Sequence, residues 1–532
     1  MSLLQHCLVL PIVLPLMAAA LLLLLGDRQR RLKSIVNLVA SFAGLGVAAT
    51  IVRGVDTDGV AVYLASNWHA PFGIVLVADR LSALLLLLVG VVGVSAALYA
   101  EAGWSRAGVY FHPLFQIQLM GLNGAFLTGD LFNLFVFFEV MLAASYGLHL
   151  HGSGWPRVRS GLHYIAANLL ASSLFLVGLS VLYGVVGTLN MADVAAKLVL
   201  VPAGDRGLLH AGATILAVAF LIKAAIWPLN AWLVPAYSAT SAPVAALFAL
   251  MTKVGIYALL RLWTLLFSPE AGTSFHFGGP VLLYGGLATI TFGALGLMAS
   301  MSLGRIASFS IIVSSGTLLA ALAIGVASVT SAALFYMITA TLSVSALFLL
   351  VELIQRIHQS GERQSQILSV PPDEDTNLDD EQEPLVGRTF PVSIALLGLA
   401  FITCALLVAG LPPLSGFLAK FSLLAALSGL EDHGRANLMG WILFGLLLVS
   451  GFAATLALSR AGIQHFWAPG GRLVPQLKSV EAAAVLVLLL SCVVLTVYAE
   501  PVMNYTRATA SGLHAPSSYV ESVLSAKPKA TP

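Results

Sequence analysis

Fourteen runs of about twenty apolar residues recur along almost the whole chain, at 7–25, 34–53, 78–100, 108–128, 130–150, 161–186, 208–234, 240–267, 279–299, 303–325, 328–354, 390–428, 438–459 and 480–499. Twenty residues of helix are about 30 Å long, which matches the hydrocarbon thickness of a bilayer. Hydrocarbon supplies no water to backbone N–H and C=O groups, so a spanning segment must satisfy them within itself or in a closed barrel. Runs of this length predict helices, and the expected fold is an all-α polytopic membrane protein. Composition points the same way: 59% of the 532 residues are hydrophobic and 9% charged, against roughly 25% charged in an ordinary soluble domain. The seventh and twelfth runs contain proline and are read as single but interrupted spans.

Loop charge orients the bundle. With the N-terminus outside, fourteen basic residues, among them Arg28, Arg30, Arg31, Lys33, Arg106, Arg157 and Arg159, fall in inner loops, and eight fall outside. The excess of arginine and lysine on inner loops puts both termini on the outer face. The first run has no basic leader and precedes GDRQRRLK, so it reads as a retained helix and not as a cleaved signal. A net charge of +2 leaves no concentrated basic surface of the kind nucleic acid needs. Cys7, Cys404 and Cys492 lie in apolar runs without CxxC spacing, which argues against a disulfide framework or a zinc site. The polar stretch 356–389, with PPDEDTNLDDEQEP, is expected to be a disordered inner loop, because it has too little apolar surface to offset ordering entropy.

Of the 26 basic residues, Lys223, Lys253, Arg261 and Lys420 remain within the spans. An intramembrane cation costs several kcal/mol and asks for a partner and a function. Glu139, near the middle of the fifth run, is the obvious partner. A static Glu139–Lys223 pair fixing helix register is the plain alternative, and Arg261, near a helix end, has the option of snorkelling to the headgroups. One static pair needs one cation, however, and the chain supplies three deep lysines.

The breaks add to this. Pro228 in the seventh span, and Pro412, Pro413 and Gly416 in the twelfth, interrupt helices, and such breaks persist at membrane depth only against protein or a water-filled cavity. In transporters, interrupted helices in corresponding positions of two halves point to an ion pathway. Here Lys223 precedes one break and Lys420 follows the other. Burial disfavours the charged form of a lysine and a nearby carboxylate favours it, so a lysine that approaches and leaves Glu139 switches between holding and releasing a proton. Hydroxyls in the spans, among them Ser172, Ser310, Ser314, Ser315, Thr339, Thr341 and Ser343, are candidate links, and most are expected to bond their own helix. His163, near the start of a span, is a candidate for relay or for an interfacial structural role.

These residues sit in ADRLSALLLLLVG (78–90), GDLFNLFVFFEVMLAASYGLHLHG (129–152), FLIKAAIWPLNAWLVPAYSATSAPVAALFALMTKVGIYALLRLW (220–263) and GLPPLSGFLAKFSLL (410–424). Together they resemble the antiporter-like membrane subunits shared by respiratory complex I and the multi-subunit Mrp (Pha, Sha, Mnh) cation/proton antiporters, and most of all the Mrp D subunits. The resemblance covers roughly 75–460. It implies fourteen helices with two inverted five-helix repeats, each containing a broken helix. The chain then divides into N-terminal helices 1–3 (1–107), a first repeat (108–267), a second repeat (279–460) carrying the loop 356–389, and a last helix with a short tail (461–532). It also implies that Glu139 and Lys223 form a switching pair, that Lys253 is a central relay, and that Lys420 exchanges protons with an exit or a neighbouring subunit. The implied setting is a bacterial inner membrane, with sister subunits of types A, B, C, E, F and G as partners, Na+ or K+ and protons as cargo, and no cofactor.

Many relatives carry histidine and lysine in the eleventh helix, where this chain reads LFYMITATLSVSALFLL (334–350) with no ionisable residue. Gly304 likewise stands beside Arg305 where lysine-arginine is frequent. Water with Thr339, Thr341 or Ser343 is therefore expected to bridge Lys253 and Lys420. The 33 residues after the last span, roughly 50 Å as one helix, are too few for the long lateral helix or large extensions of the distal complex I and Mrp A subunits. Two rival readings stay open. One is a proton-pumping membrane subunit of a complex I-like or hydrogenase-linked redox complex; the other is a scaffold whose charges only hold helices together. No phosphate loop, nucleophile elbow or paired catalytic carboxylates mark an enzyme.

Overall fold

A computed structural model describes residues 6–26, 28–368, 392–429, 438–467 and 477–528, with side chains described only as far as Arg356 in the helix that ends at Leu368. The order is α1 (Leu10–Leu24), α2 (Arg30–Asp58), β1 (Ala61–Leu64), β2 (Val75–Ala78), α3 (Arg80–Glu101), α4 (Phe111–Leu127), α5 (Leu131–Leu150), α6 (Trp155–Val186), α7 (Met191–Leu198), α8 (Arg206–Lys223), α9 (Leu233–Ala239), α10 (Ala242–Leu266), α11 (Gly279–Ala299), α12 (Leu303–Ile324), α13 (Ala327–Leu368), α14 (Val392–Ala409), α15 (Ser415–Ser428), α16 (Leu438–Gly462), α17 (Ser479–Val497), α18 (Ala499–His514) and α19 (Ser517–Leu524). Among the described residues, twelve helices are long and apolar enough to cross a membrane. Each predicted run overlaps a helix; the interrupted run 390–428 resolves into α14 and α15, whereas 208–234 covers most of α8 and ends two residues into α9, most of which lies beyond it.

Helix starts follow local chemistry. Asp79 accepts from the Ser82 N–H, and the Ser82 hydroxyl pairs with the Asp79 N–H, a reciprocal box that opens α3. Asp130 accepts from the Asn133 N–H at 2.8 Å and opens α5. The segment between α2 and α3 is an antiparallel hairpin pairing Ala61 with Ala78 and Leu64 with Val75. It is extended by a bridge from Leu76 to Thr128, which ties the ends of three helices.

Burial grades the bundle. The apolar window of α10 is entirely buried, and those of α12 and α13 are buried over 94%, while those of α2 and α6 are buried over only 28%. The middle of the molecule is therefore α10, packed against α3, α8, α12 and α13. At the arginine-rich end, Arg356 of α13 pairs with Glu481 of α17 and with Glu352. Glu352 also accepts from Trp104 Nε1 at 2.7 Å. At the opposite end the chain after α17 turns back as α18 and α19, and Tyr505 donates to the Arg80 carbonyl at 3.0 Å. The tail is thus two helices folded over the bundle and not one extended rod. The stretch 356–389 also departs from the expected loop at its start, because α13 runs on helically to Leu368; its remainder lies outside the described residues.

Candidate functional site

The first break ends α8 at Lys223. Ala225 turns through the left-handed region at φ 58°, and the Ile226 N–H reaches the Leu221 carbonyl at 3.1 Å, the hydrogen bond of a Schellman-type cap. Pro228 lies in the turn before α9. Lys223 is 6% exposed and donates to Asn168 Oδ1 of α6 at 2.9 Å. The Asn168 amide is held the other way by its own helix, Nδ2 donating to the Tyr164 carbonyl at 2.7 Å. Its oxygen is thereby left for the lysine.

Glu139 of α5 lies within electrostatic reach of Lys223, with Oε1 buried and without a hydrogen-bond partner. Among the described residues the two form no direct ion pair, and the ammonium is on Asn168. The Phe138 ring lies beneath that ammonium, its centroid 5.9 Å from Nζ. Toward the arginine-rich end, polar groups continue from Glu139. Tyr146 holds a buried hydroxyl without a hydrogen-bond partner, Tyr164 and Ser145 share a hydrogen bond at 2.7 Å, and His149 Nδ1 meets Thr240 Oγ1 at 2.5 Å. None of these was singled out from sequence. Asn168, an amide in the middle of an apolar run, carried a signal that a search restricted to charges passes over.

Lys253 on α10 is 2% exposed and donates to Ser314 Oγ of α12 at 2.5 Å. Its helix meets the first break at Gly255, where a Cβ would lie 2.8 Å from the Ala224 nitrogen. Ser314 in turn lines a cavity of about 30 Å³ shared with Ser310, Thr339, Ser343, Ser450 and Lys420. That volume holds about two water molecules. Thr339 Oγ1 is buried there without a partner. Thr341 does not line this cavity and donates to the Met337 carbonyl at 2.7 Å; Ser343, which does line it, also donates within its own helix, to the Ala340 carbonyl at 3.2 Å.

Lys420 lies on α15, just past the second break, and is partly buried. It donates to the carbonyls of Ala409 at 2.8 Å and Val408 at 3.3 Å, at the end of α14. Gly410 turns at φ 77°, and a Cβ on it would sit 2.4 Å from Lys420 Cδ. Pro412 and Pro413 occupy the turn, and Gly416 opens α15 so closely against α14 that a Cβ would meet the Leu407 carbonyl oxygen at 2.1 Å.

The remaining candidates lie apart. Arg261 does not snorkel. It is 5% exposed, pairs with Asp79 at 2.5 Å, and lies 5.0 Å from the Tyr519 ring centroid; a full ion pair inside the protein removes the reason to reach for headgroups. His163 is exposed on α6, its Nδ1 3.2 Å from the Arg159 carbonyl, and the structure does not bring it to the lysines.

A bundle with two interrupted helices, one seating a buried lysine and the other a partly buried one, and a third lysine buried at its centre has the arrangement of antiporter-like ion-translocating membrane proteins. Residues 128–432 match the family described as NADH:quinone oxidoreductase/Mrp antiporter, TM, and the chain belongs to this family. It is 49% identical to the D subunit of a probable K(+)/H(+) antiporter of Rhizobium meliloti (strain 1021), covering 98% of each chain. It is 34% identical to the D subunit of a Na(+)/H(+) antiporter of Alkalihalophilus pseudofirmus, covering 98% of this chain and 99% of the other. Among solved structures it is similar to a chain of the Mrp complex from Dietzia sp. DQ12-45-1b, with TM-score 0.84, 25% identity, and 98% and 100% of the two chains covered.

Proposed function

We propose that this chain is the proton-translocating D-type subunit of a multi-subunit monovalent cation/proton antiporter, moving protons along Glu139, Lys223, Lys253 and Lys420. The observation that supports it is the line of polar partners on either side of α10, the most buried helix. Lys223 sits on Asn168, Lys253 on Ser314, and Ser314 shares a hydroxyl-lined cavity with Lys420. Asn168 and Glu139 are two alternative seats for one ammonium. In contact with Glu139 the lysine is held protonated by the carboxylate, and on the neutral amide, out of contact with Glu139, that opposition to burial is weaker and the proton is released more easily. The Tyr146, Tyr164 and His149 array supplies a route from the arginine-rich end to Glu139. Thr339 and Ser343, with water, carry the proton across the part of α13 that has no charge.

In this reading residues 108–267 and 279–460 act as two inverted repeats around α10, and Lys420 faces an exit or a neighbouring subunit. The arginine-rich end is the cytoplasmic face of a bacterial inner membrane and both termini lie outside. Sister subunits complete the complex, with Na+ or K+ exchanged against protons. The test is cation-dependent proton exchange in everted vesicles carrying the whole complex, comparing wild type with Glu139→Ala and checking assembly on a native gel. Exchange lower by roughly 100-fold or more in an intact complex is expected, the scale of one positioned proton-transfer group. Exchange retained at the wild-type rate would demote Glu139 to a structural partner.

A further inference from the structure

A separate cavity of about 200 Å³ opens where the start of α2 meets the end of α3 and the start of α4. Arg30, Arg31, Lys33 and Arg106 line it against the single carboxylate of Glu101, with His112 at the same wall. With His112 neutral the lining carries three net positive charges. Basic residues at this end of the bundle are expected from topology alone, but two of these groups are not on the surface. Lys33 is 6% exposed and His112 4%, and His112 Nδ1 is buried without a hydrogen-bond partner. Arg30 and Arg31 are exposed and enter no ion pair among the described residues. Exposed guanidinium groups at the mouth of a cationic cavity ask for an anion with hydrogen-bonding oxygens.

The surface next to the mouth says which anion. Leu32, Ile35, Val39 and Phe42 are exposed, by 43%, 56%, 62% and 51%. Their spacing of three, four and three residues makes one apolar stripe running from the cavity along α2. Val109 and Tyr110 stand exposed on the other side of the mouth. A cationic pocket at the end of a lipid-facing apolar stripe matches a phosphodiester headgroup with its acyl chain attached; a soluble phosphate has no use for the stripe.

We propose that this cavity binds the headgroup of an anionic phospholipid, with one acyl chain lying along the exposed face of α2. The complex, purified in mild detergent and delipidated, is titrated with phosphatidylglycerol and read by native mass spectrometry beside phosphatidylcholine and inorganic phosphate. Wild type is expected to retain phosphatidylglycerol in preference to phosphatidylcholine. Arg31→Gln with Arg106→Gln should weaken that retention roughly 30-fold, at about 1 kcal/mol per basic residue. Arg305→Gln, an exposed arginine at the start of α12, should leave it unchanged. If the double variant does not assemble, Arg31→Gln alone, which removes an exposed side chain, must weaken retention roughly fivefold. Equal retention in wild type and variant overturns the proposal. Displacement of the lipid by equimolar inorganic phosphate overturns it in favour of a free-anion site. Protection of Arg31 from an arginine reagent by a sister subunit, with no lipid retained, overturns it in favour of a protein contact.

Discussion

The two helix breaks are built alike and equipped differently. Each ends an apolar helix on a residue in the left-handed region, Ala225 or Gly410, and each closes with an N–H reaching five residues back, Ile226 to Leu221 and Leu411 to Leu406. A glycine of a neighbouring helix meets each, Gly255 at the first and Gly451 at the second, where a Cβ would lie 3.1 Å from the Ala409 carbonyl oxygen. The lysines then diverge. Lys223 belongs to the helix that ends, and finds a neutral amide with a carboxylate in reach. Lys420 belongs to the helix that follows, and rests on carbonyls at the end of α14. Such terminal carbonyls lack helical partners and carry the negative end of the helix dipole. The first break therefore has an ionisable group in reach, and the second rests on backbone carbonyls, which do not ionise. Under the proposed function, switching accordingly falls to the first and holding to the second.

The largest expected effect separates these roles. Lys223→Met removes the cation within reach of the half-buried Glu139, whose Oε1 is buried without a hydrogen-bond partner. Vesicle exchange should fall by roughly 100-fold or more, and the solubilised complex should melt earlier, because an uncompensated buried charge destabilises strongly. Adding Glu139→Gln should restore the melting temperature without restoring exchange. Recovery of exchange in the double variant would make the pair a structural brace. Lys420→Met should also stop exchange but melt close to wild type, since no carboxylate is stranded there.

A smaller effect is expected from the capping residues. Gly410→Ala puts a Cβ against Lys420 and forces an L-residue into the left-handed region, which costs about 1–2 kcal/mol, so exchange should drop roughly tenfold. Ala225→Gly removes the same strain at the first break and should leave exchange within about twofold, since one αL residue is worth at most 1–2 kcal/mol in stability and Lys223 keeps its seat. If both substitutions impaired exchange equally, the breaks would act as hinges and not as lysine seats. Smaller again is the uncharged crossing of α13. Thr339→Val with Ser343→Ala should slow exchange roughly fivefold, about one hydrogen bond's worth, while Thr341→Val, which alters no residue lining the Lys420 cavity, should be silent in the same assay.

The helices were legible because the apolar runs are long; the caps Asp79 and Asp130 and the early Pro243, which fix where three of them begin, emerged with the structure. The breaks were legible as prolines next to lysines. Partner choice was not. A charged residue announces itself by its cost in hydrocarbon, so Lys223, Lys253 and Lys420 stood out, whereas Asn168 and Ser314 acquire meaning only once helix rotation aims them at an ammonium. For Arg261 the option of snorkelling stayed open for the complementary reason. Its partner Asp79 lies 182 residues away at the start of α3, a distance that hydropathy alone does not bridge. The same limit hid the difference between Thr339 and Thr341, which share a helix but not a face.

The smallest effect concerns how the tail holds the two halves. On the first half, Tyr519 of α19 lies over Arg261, which is already paired with Asp79. On the second, His514 of α18 meets Thr330 Oγ1 of α13 at 3.0 Å. Burial pulls the His514 imidazole below its usual 6.5, so the docked tail keeps the ring neutral while an undocked tail takes up a proton at about 6.5. Docking is therefore indifferent to pH above about 6.5 and weakens as pH falls from there toward the lower docked value. Trypsin cleavage after the exposed Arg507 should accelerate about two- to fivefold between about pH 7.5 and pH 5.5, after correction for the protease's own pH dependence. His514→Gln should flatten that profile while Tyr519→Phe should not, because only the second half is latched by a group that titrates in this window. A wild-type profile already flat would mean that the Arg261 end alone keeps the tail docked, and the two halves would then differ in their lysine seats but not in how the tail holds them.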